Sequence, residues 1–301
     1  MIKTGEAIKR ALDAGIVVPA FNVPYLPMVE AVIQAVADED SFALVQVARL
    51  EWKKFQAKSI KAVRDEFKKF DDPKHVRLHL DHVPVIDEDH LEVDYISIIK
   101  EAIDLGYQSV MVDASRLALE QNIEATAKVA EMAHAAGIAC EAELGAVLGH
   151  ESGPMKPYEE IFASGEGFTR VDEAKRFAVE SGCDWLSVAI GNIHGAISGV
   201  MKDQKKPEAR LNIEHLKKLR EVTGLPLVLH GGSGIKQEDI LAAIKNGIAK
   251  INVGTEIRQP YEQVMKETGD VKKAQKACYE RTRWVISEFL HITGSRKIVG
   301  E

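Results

Sequence analysis

Residues able to carry chemistry recur along this chain at the ends of short apolar segments: Asn22, Asp81 with His82, Asp113 with Ser115, Glu143, Asn192 with His194, His230, and Asn252 with Thr255. A polar side chain at the end of an apolar segment costs desolvation unless it is paired or used, so the repetition points to one shared site. Three histidines with Asp and Glu beside them are the ingredients of a catalytic zinc centre, in which three protein nitrogens leave a position open for water or substrate. Any one of these histidines alone could equally be a hydrogen-bonded structural residue. Their joint placement favours ligation.

The remaining histidines read differently. His134 and His215 fall in helical patterns, His75 begins an apolar segment and His90 lies in the acidic stretch Asp87–Glu92, so a solvated surface is expected for all four. His79 shares a face with Asp81 by two-residue alternation but lies deeper, which suits a supporting or core role.

Glycines supply a second half of the site. His230-Gly231-Gly232-Ser233-Gly234 and Asn252-Val253-Gly254-Thr255 each lead from an apolar segment towards a helical pattern. Backbone N–H groups freed by glycine and by helix N-termini bind phosphate, and barrels commonly place such a site after strands seven and eight. The first loop alone could be an ordinary tight turn; two in succession favour phosphate.

Eight β-branched segments must position these groups: Ile16–Val23, Phe42–Val47, His75–His82, Ser109–Ser115, Ala139–Gly145, Trp185–Gly191, Pro226–Gly232 and Lys250–Thr255. Between them helical periodicity predicts helices over Pro27–Ala37, Glu51–Phe67, Tyr95–Leu105, Glu120–Ala136, Asp172–Ser181, Ile213–Val222 and Gln237–Asn246, with a last stretch at Val271–Leu290. This alternation implies parallel strands with crossover helices. Eight units, with no Gly-rich dinucleotide turn after Val23, fit a (β/α)₈ TIM barrel better than an open doubly wound sheet. One domain over 1–301 is expected, with a C-terminal helical extension at 271–292. Two long connections, Ala146–Thr169 and Ile193–Asn212, follow strands and so should lie on the active face as binding loops.

Composition narrows the class of function. The chain of 301 residues is 46% hydrophobic and 28% charged, enough for a large core. Its net charge of −7 and scattered basic residues give no footprint for nucleic acid or an anionic membrane. No apolar run reaches membrane-spanning length, and the first 18 residues lack the pattern of a signal peptide. Cys140, Cys183 and Cys278 have no metal-type spacing and are expected to pack as small apolar residues in a reducing cytoplasm.

At these same residues the sequence resembles the class II, metal-dependent ketose-bisphosphate aldolases, the family of fructose-bisphosphate and tagatose-bisphosphate aldolases. Its specific elements are His79-Leu80-Asp81-His82, Glu143-Leu144-Gly145, Ile190-Gly191-Asn192-Ile193-His194-Gly195, Leu229-His230-Gly231-Gly232-Ser233-Gly234 and Lys250-Ile251-Asn252-Val253, in family order across essentially the whole chain. The resemblance implies that His82, His194 and His230 hold Zn²⁺ and that Asp81 handles the proton at the hydroxyl or aldehyde oxygen. It places Glu143 and Asp113 near the metal as alternative ligands, and leaves open a second divalent or a monovalent cation. Glu151 matches a glutamate linked to proton exchange on the ketone half. Asn22 belongs to the substrate side, Asn252 matches a substrate-orienting residue, and Gly195, Gly231, Ser233 and Thr255 match positions around the ketone-half phosphate.

The implied activity is aldol cleavage or formation of a ketose (bis)phosphate, most simply fructose 1,6-bisphosphate, giving dihydroxyacetone phosphate and an aldehyde. A Lewis acid stabilises the enediolate, so no Schiff-base lysine is required. Phosphorylated ketose and triose partners, a homodimer or homotetramer, a cytoplasmic place and a role in glycolysis and carbohydrate metabolism are further implications. The chain departs from the family pattern at Ala48 with Arg49, Glu51 and Trp52 after it, at Val83, at Ser198 where a phosphate-directed lysine is usual, and at Gly254. Arg49, Lys202 and Arg258 are candidates to replace the lost charge.

Two rivals stand beside this reading. A zinc hydrolase on the same barrel would activate water, but such barrels carry a His-x-His on the first strand and Ile16–Val23 has no histidine. A sugar-phosphate binding protein that kept the metal and lost turnover is disfavoured by the presence of Asp81 and Glu151.

Overall fold

The computed structural model describes residues 2–145, 158–192, 209–232 and 234–300. Eight parallel strands pair in chain order and close, β1 with β8, into a barrel. The chain enters through helix α1 (Thr4–Asp13) and continues as β1 (Val18–Asn22), α2 (Met28–Asp38), β2 (Ala43–Ala48), α3 (Arg49–Lys54) and α4 (Ile60–Lys69). Then come β3 (Val76–Pro84), α5 (Tyr95–Asp104), β4 (Ser109–Asp113), α6 (Leu119–Ala135), β5 (Ala139–Leu144), α7 (Tyr158–Ser164), α8 (Val171–Glu180) and β6 (Trp185–Val188). The last part is α9 (Ile213–Thr223), β7 (Leu227–Leu229), α10 (Gln237–Lys245), β8 (Ile248–Val253), α11 (Thr255–Thr268), α12 (Val271–Trp284), a π-helical turn (Val285–Phe289) and α13 (Arg296–Val299).

Two apolar cores follow from strand alternation. Outward-facing Val45, Val47, Leu78, Leu80, Val110, Val112, Leu186 and Leu229 pack under the helices. Inside, Val18, Ala20, Leu44, Trp185 and Val228 meet Ile2, Ala7, Ile8 and Ala11, so that α1 closes the amino-terminal end of the barrel. Buried Arg77 reinforces this floor by donating to the Ile2 carbonyl at 3.0 Å and lying over the Phe42 ring. Above it the interior turns polar, which is unusual for a barrel core and marks the layer that serves the site.

The eight strands match the sequence reading within a few residues; helices α1, α7, α11 and α13 lie outside the expected ones, and some of the differences have local causes. The expected helix Glu51–Phe67 is two helices: Lys58 takes a positive φ of 67° and Ser59 Oγ accepts from Ala62 N at 3.1 Å, starting α4 afresh. Helix α11 falls where no helix is expected, and it holds Pro260 within it although proline normally breaks a helix; packing of buried Ile257 and Tyr261 offsets that cost. Two histidines expected at the surface are engaged: His215 Nε2 donates to the Thr169 carbonyl at 2.7 Å, and half-buried His75 sits 2.7 Å from Asp72. His134 and His90 are exposed as expected. All three cysteines are buried and free, and among the described residues no helix is long and apolar enough to cross a membrane.

Candidate active site

The carboxyl ends of the strands open into a cavity of about 580 Å³ lined by Asn22, Asp81, His82, Asp113, Glu143, His230, Asn252 and Thr255, together with the Gly231-Gly232 loop. Strict alternation would send Asp81 and His82 to opposite faces of β3. Instead the pairing with β4 shifts register between Leu80 and Val83, and His82 takes φ 27°. Such a bulge re-aims a side chain, and here both neighbours reach the cavity. A non-glycine residue in this backbone region stores strain that the surrounding structure must hold.

The two histidines meet over a carboxylate. His82 and His230 have ring centroids 4.5 Å apart. His230 Nδ1 lies 3.0 Å from Glu143 Oε2, and His82 Nε2 lies 3.9 Å from the same oxygen. His82 Nδ1 is 3.2 Å from Asp113 Oδ2, whose other oxygen accepts from Ser115 Oγ at 2.6 Å. One donor atom each from Asp81, His82 and His230 falls within 4.8 Å of the others, as do atoms of His82, Asp113 and Glu143. Imidazole nitrogens and carboxylate oxygens converging at this spacing suit a divalent ion such as zinc.

Beneath this layer lies a second one with no exposure. Glu141, two residues before Glu143 and therefore on the same face of β5, accepts from Trp185 Nε1 at 2.6 Å and from His230 Nε2 at 2.9 Å, and pairs with Lys250 Nζ at 2.8 Å. His79 stands 3.3 Å from it and 2.8 Å from Ser109 Oγ, the supporting role expected of it. Lys250 also donates to Asn252 Oδ1 at 2.6 Å, and Asn252 Nδ2 donates to Asp81 Oδ1 at 3.0 Å. Asn22 Nδ2 donates to Asp81 Oδ2 at 2.9 Å while its oxygen accepts from Gln46 at 2.8 Å, so both oxygens of Asp81 are held.

Electrostatics follow from this crowding. Burial disfavours a charged His82, but Asp81, Asp113 and Glu143 outweigh it and push its pKa up to about 10. Burial also opposes ionised Asp81, yet His82, Lys250 and His230 hold it below the usual carboxylate range. Burial likewise opposes an ionised Glu141, and Lys250, His230 and His79 prevail to keep it well below that range. Protons on the imidazoles thus balance the acids of the cluster, and a dication would take their place.

The cavity rim carries the phosphate-type elements. Gly231 takes φ 64°, and Gly254 precedes Thr255, the first residue of the 14-residue helix α11. Of the charges considered as substitutes for a lysine, Arg49 lines the cavity but is 3.3 Å from Asp87, and Arg258 lines it while paired with Glu262 at 2.5 Å. His194, Gly195, Glu151, Ser233 and Lys202 lie outside the described residues. Asn192, which ends an apolar segment, works structurally: Oδ1 accepts from Ile190 N and Nδ2 donates to the His230 carbonyl at 2.8 Å.

A sequence profile described as fructose-bisphosphate aldolase class-II matches residues 2–297. The chain belongs to the class II fructose-bisphosphate aldolase family. It is 34% identical over 288 residues to a Streptococcus pneumoniae fructose-bisphosphate aldolase, covering 94% of this chain and 88% of that protein. A Bacillus subtilis protein named probable fructose-bisphosphate aldolase is 32% identical over 273 residues, 89% of this chain and 86% of its own length. Among solved structures, the YdjI aldolase of Escherichia coli K12 superposes with a TM-score of 0.78 at 29% identity, over 98% of this chain and all of that one. Like its family, this chain is therefore an aldolase, a carbon–carbon lyase on a TIM barrel.

Within this class II aldolase, sequence reasoning missed Glu141 and Lys250 as parts of the site. The signal was available: each lies two positions before a site residue, Glu143 or Asn252, on a period-two strand. Glu51, named only as part of a departure from the family pattern, also lines the cavity.

Proposed function

We propose that this aldolase cleaves and forms a ketose bisphosphate, fructose 1,6-bisphosphate or a close relative, yielding dihydroxyacetone phosphate and an aldehyde. The observation that carries the reading is the bulge in β3, which turns consecutive Asp81 and His82 into one cavity beside His230 and Glu143. His82, His194 and His230 would hold zinc, with Glu143 and Asp113 as alternative ligands, and a bound Zn²⁺ supplies Lewis-acid stabilisation of the charge that develops on the ketone half. Asp81, fixed by Asn22 and Asn252, takes the hydroxyl proton as the carbon–carbon bond breaks and returns it in the synthetic direction. Glu151 serves proton exchange at the ketone half. Asn22 and Asn252 orient the substrate, and Gly195, Gly231, Ser233 and Thr255 receive its phosphate through backbone N–H groups and hydroxyls. One domain of 1–301 with a helical extension at 271–292, acting in the cytoplasm as a homodimer or homotetramer, completes the reading.

The test is cleavage of ketose mono- and bisphosphates by the purified protein. Turnover should vanish on chelation and return with Zn²⁺, and Asp81→Ala should lose about 10²- to 10⁴-fold in rate. Chelator-insensitive turnover would refute the metal-dependent mechanism, and turnover of a non-phosphorylated ketose alone would refute the substrate assignment.

A further inference from the structure

One acidic group in the cavity has no part in the chemistry above. Glu51, the third residue of α3, is 8% exposed, and its side chain lines the same cavity as Asp81. Its Oε2 accepts from Ala48 N at 2.8 Å and faces Asn22 Nδ2 at 3.5 Å. Its Oε1 makes no hydrogen bond among the described residues. The carboxyl is therefore pinned by one oxygen and offers the other.

Its position relative to Asp81 is specific. The same Asn22 nitrogen that donates to Asp81 at 2.9 Å faces Glu51, so the two carboxyls stand one amide group apart. Small neighbours leave room there: Ala48 and Gly254 both line the cavity, and a Cβ on Gly254 would come only within 3.5 Å of Asn22. A carboxylate oxygen without a protein partner, facing a cavity, is open to pair with a ligand hydroxyl in place of water. A chain of hydroxylated carbons, reacting at Asp81 through one oxygen, brings its neighbouring hydroxyls to this distance.

We propose that Glu51 is a specificity-determining residue that hydrogen-bonds a hydroxyl of the aldehyde half, on a carbon next to or one beyond the carbon whose oxygen Asp81 serves. The enzyme thereby selects hydroxyaldehydes over deoxy aldehydes. Burial, opposed by the Ala48 N–H but reinforced by Asp81, pushes the Glu51 pKa up to about 8, and a carboxyl near neutrality can donate as well as accept. This inference rests on the assignment of Asp81 as the acid/base group.

The experiment uses the zinc-loaded full chain in the synthetic direction, with dihydroxyacetone phosphate and either glyceraldehyde or propionaldehyde. Glu51→Ala should lower kcat/KM for glyceraldehyde by about 10- to 100-fold, chiefly through KM, and leave propionaldehyde within about 2-fold. Glu51→Asp, which keeps a carboxyl at the start of α3 but draws it back by one methylene, should lose discrimination in the same direction. Exchange of the dihydroxyacetone phosphate proton with solvent, a reaction of the ketone half alone, should be unchanged in both. If both variants distinguish the two aldehydes as the wild type does, or if exchange falls in step with condensation, the assignment of Glu51 is overturned while the aldolase reading stands. If the wild type itself neither exchanges nor condenses, the functional reading fails and the role of Glu51 falls with it.

Discussion

Glu141 accepts the Nε2 proton of His230 at 2.9 Å, both side chains having no solvent exposure, and that hydrogen bond decides which nitrogen of His230 turns towards Glu143 and His82. A histidine that ligates a metal is commonly fixed in tautomer and orientation by such a carboxylate. Glu141→Gln should weaken zinc binding by about 10- to 100-fold, measured by competition with a chromogenic chelator. It also leaves Lys250 buried without its partner, so thermal unfolding should show a loss of roughly 3–5 kcal/mol. Unchanged zinc affinity would remove Glu141 from the metal site.

With His82 as the proposed zinc ligand, its raised pKa predicts that metal uptake releases a proton. In the metal-free protein the ring is held charged up to about pH 10, whereas a ligating imidazole must be neutral. Calorimetric titration of zinc at pH 8 in buffers of different ionisation heat should report release of about one proton or more. The sign for stability follows from the same shift: the contribution of protonated His82 is full below pH 6.5 and disappears as pH rises through about 10. Zinc uptake with no proton release would contradict it.

Glu51 predicts a second pH dependence, again with a raised value. Its contribution to metal-free stability is full below about pH 4.5, where both folded and unfolded forms are protonated, and is lost as pH rises through about 8. Glu51→Gln stays neutral throughout. The variant should therefore gain on the wild type by about 1–3 kcal/mol near pH 9 relative to pH 5, read from denaturant unfolding at the two pH values. An equal difference at both would show that Glu51 ionises at the same pH in the folded and unfolded chain, and so that its carboxyl is not raised by burial.

At the end of β5, Gly145 takes φ 96°, and a Cβ there would lie 2.6 Å from Thr169 Oγ1. Thr169 itself joins two strand ends, donating to the Leu144 carbonyl at 2.5 Å and accepting from Ala189 N at 2.8 Å. Gly145→Ala should cost about 1–3 kcal/mol, with a larger loss of activity than of zinc content, because the strand bearing Glu141 and Glu143 shifts as a unit. Wild-type stability in this variant would count against the clamp.

The fold was legible because each strand is a β-branched run with a helical period after it, as in Phe42–Val47 or Ser109–Ser115, and burial of both faces leaves few other ways to arrange eight such runs. Asp81, His82, Glu143 and His230 were legible because polar residues at strand ends are expensive unless used. What the sequence did not expose depends on backbone detail. The break at Lys58 turns one expected helix into two, and only the fold shows that Glu51 on the first of them lines the cavity. Helix α11, with Pro260 inside it, was not legible. Lys250 reads as an ordinary strand residue until closure of the barrel brings it against Glu141, 109 positions away.

The bulge in β3 has a mechanical consequence. Asp81 and His82 share one peptide unit, so the proposed acid/base group and a proposed metal ligand cannot be displaced independently. A strand shift that misaligns one misaligns the other, whereas Glu51 is carried on a separate short helix and meets Asp81 only through the shared Asn22 amide. The barrel thus carries the proposed reactive pair on a single mount, while the group proposed to choose the aldehyde belongs to a different element.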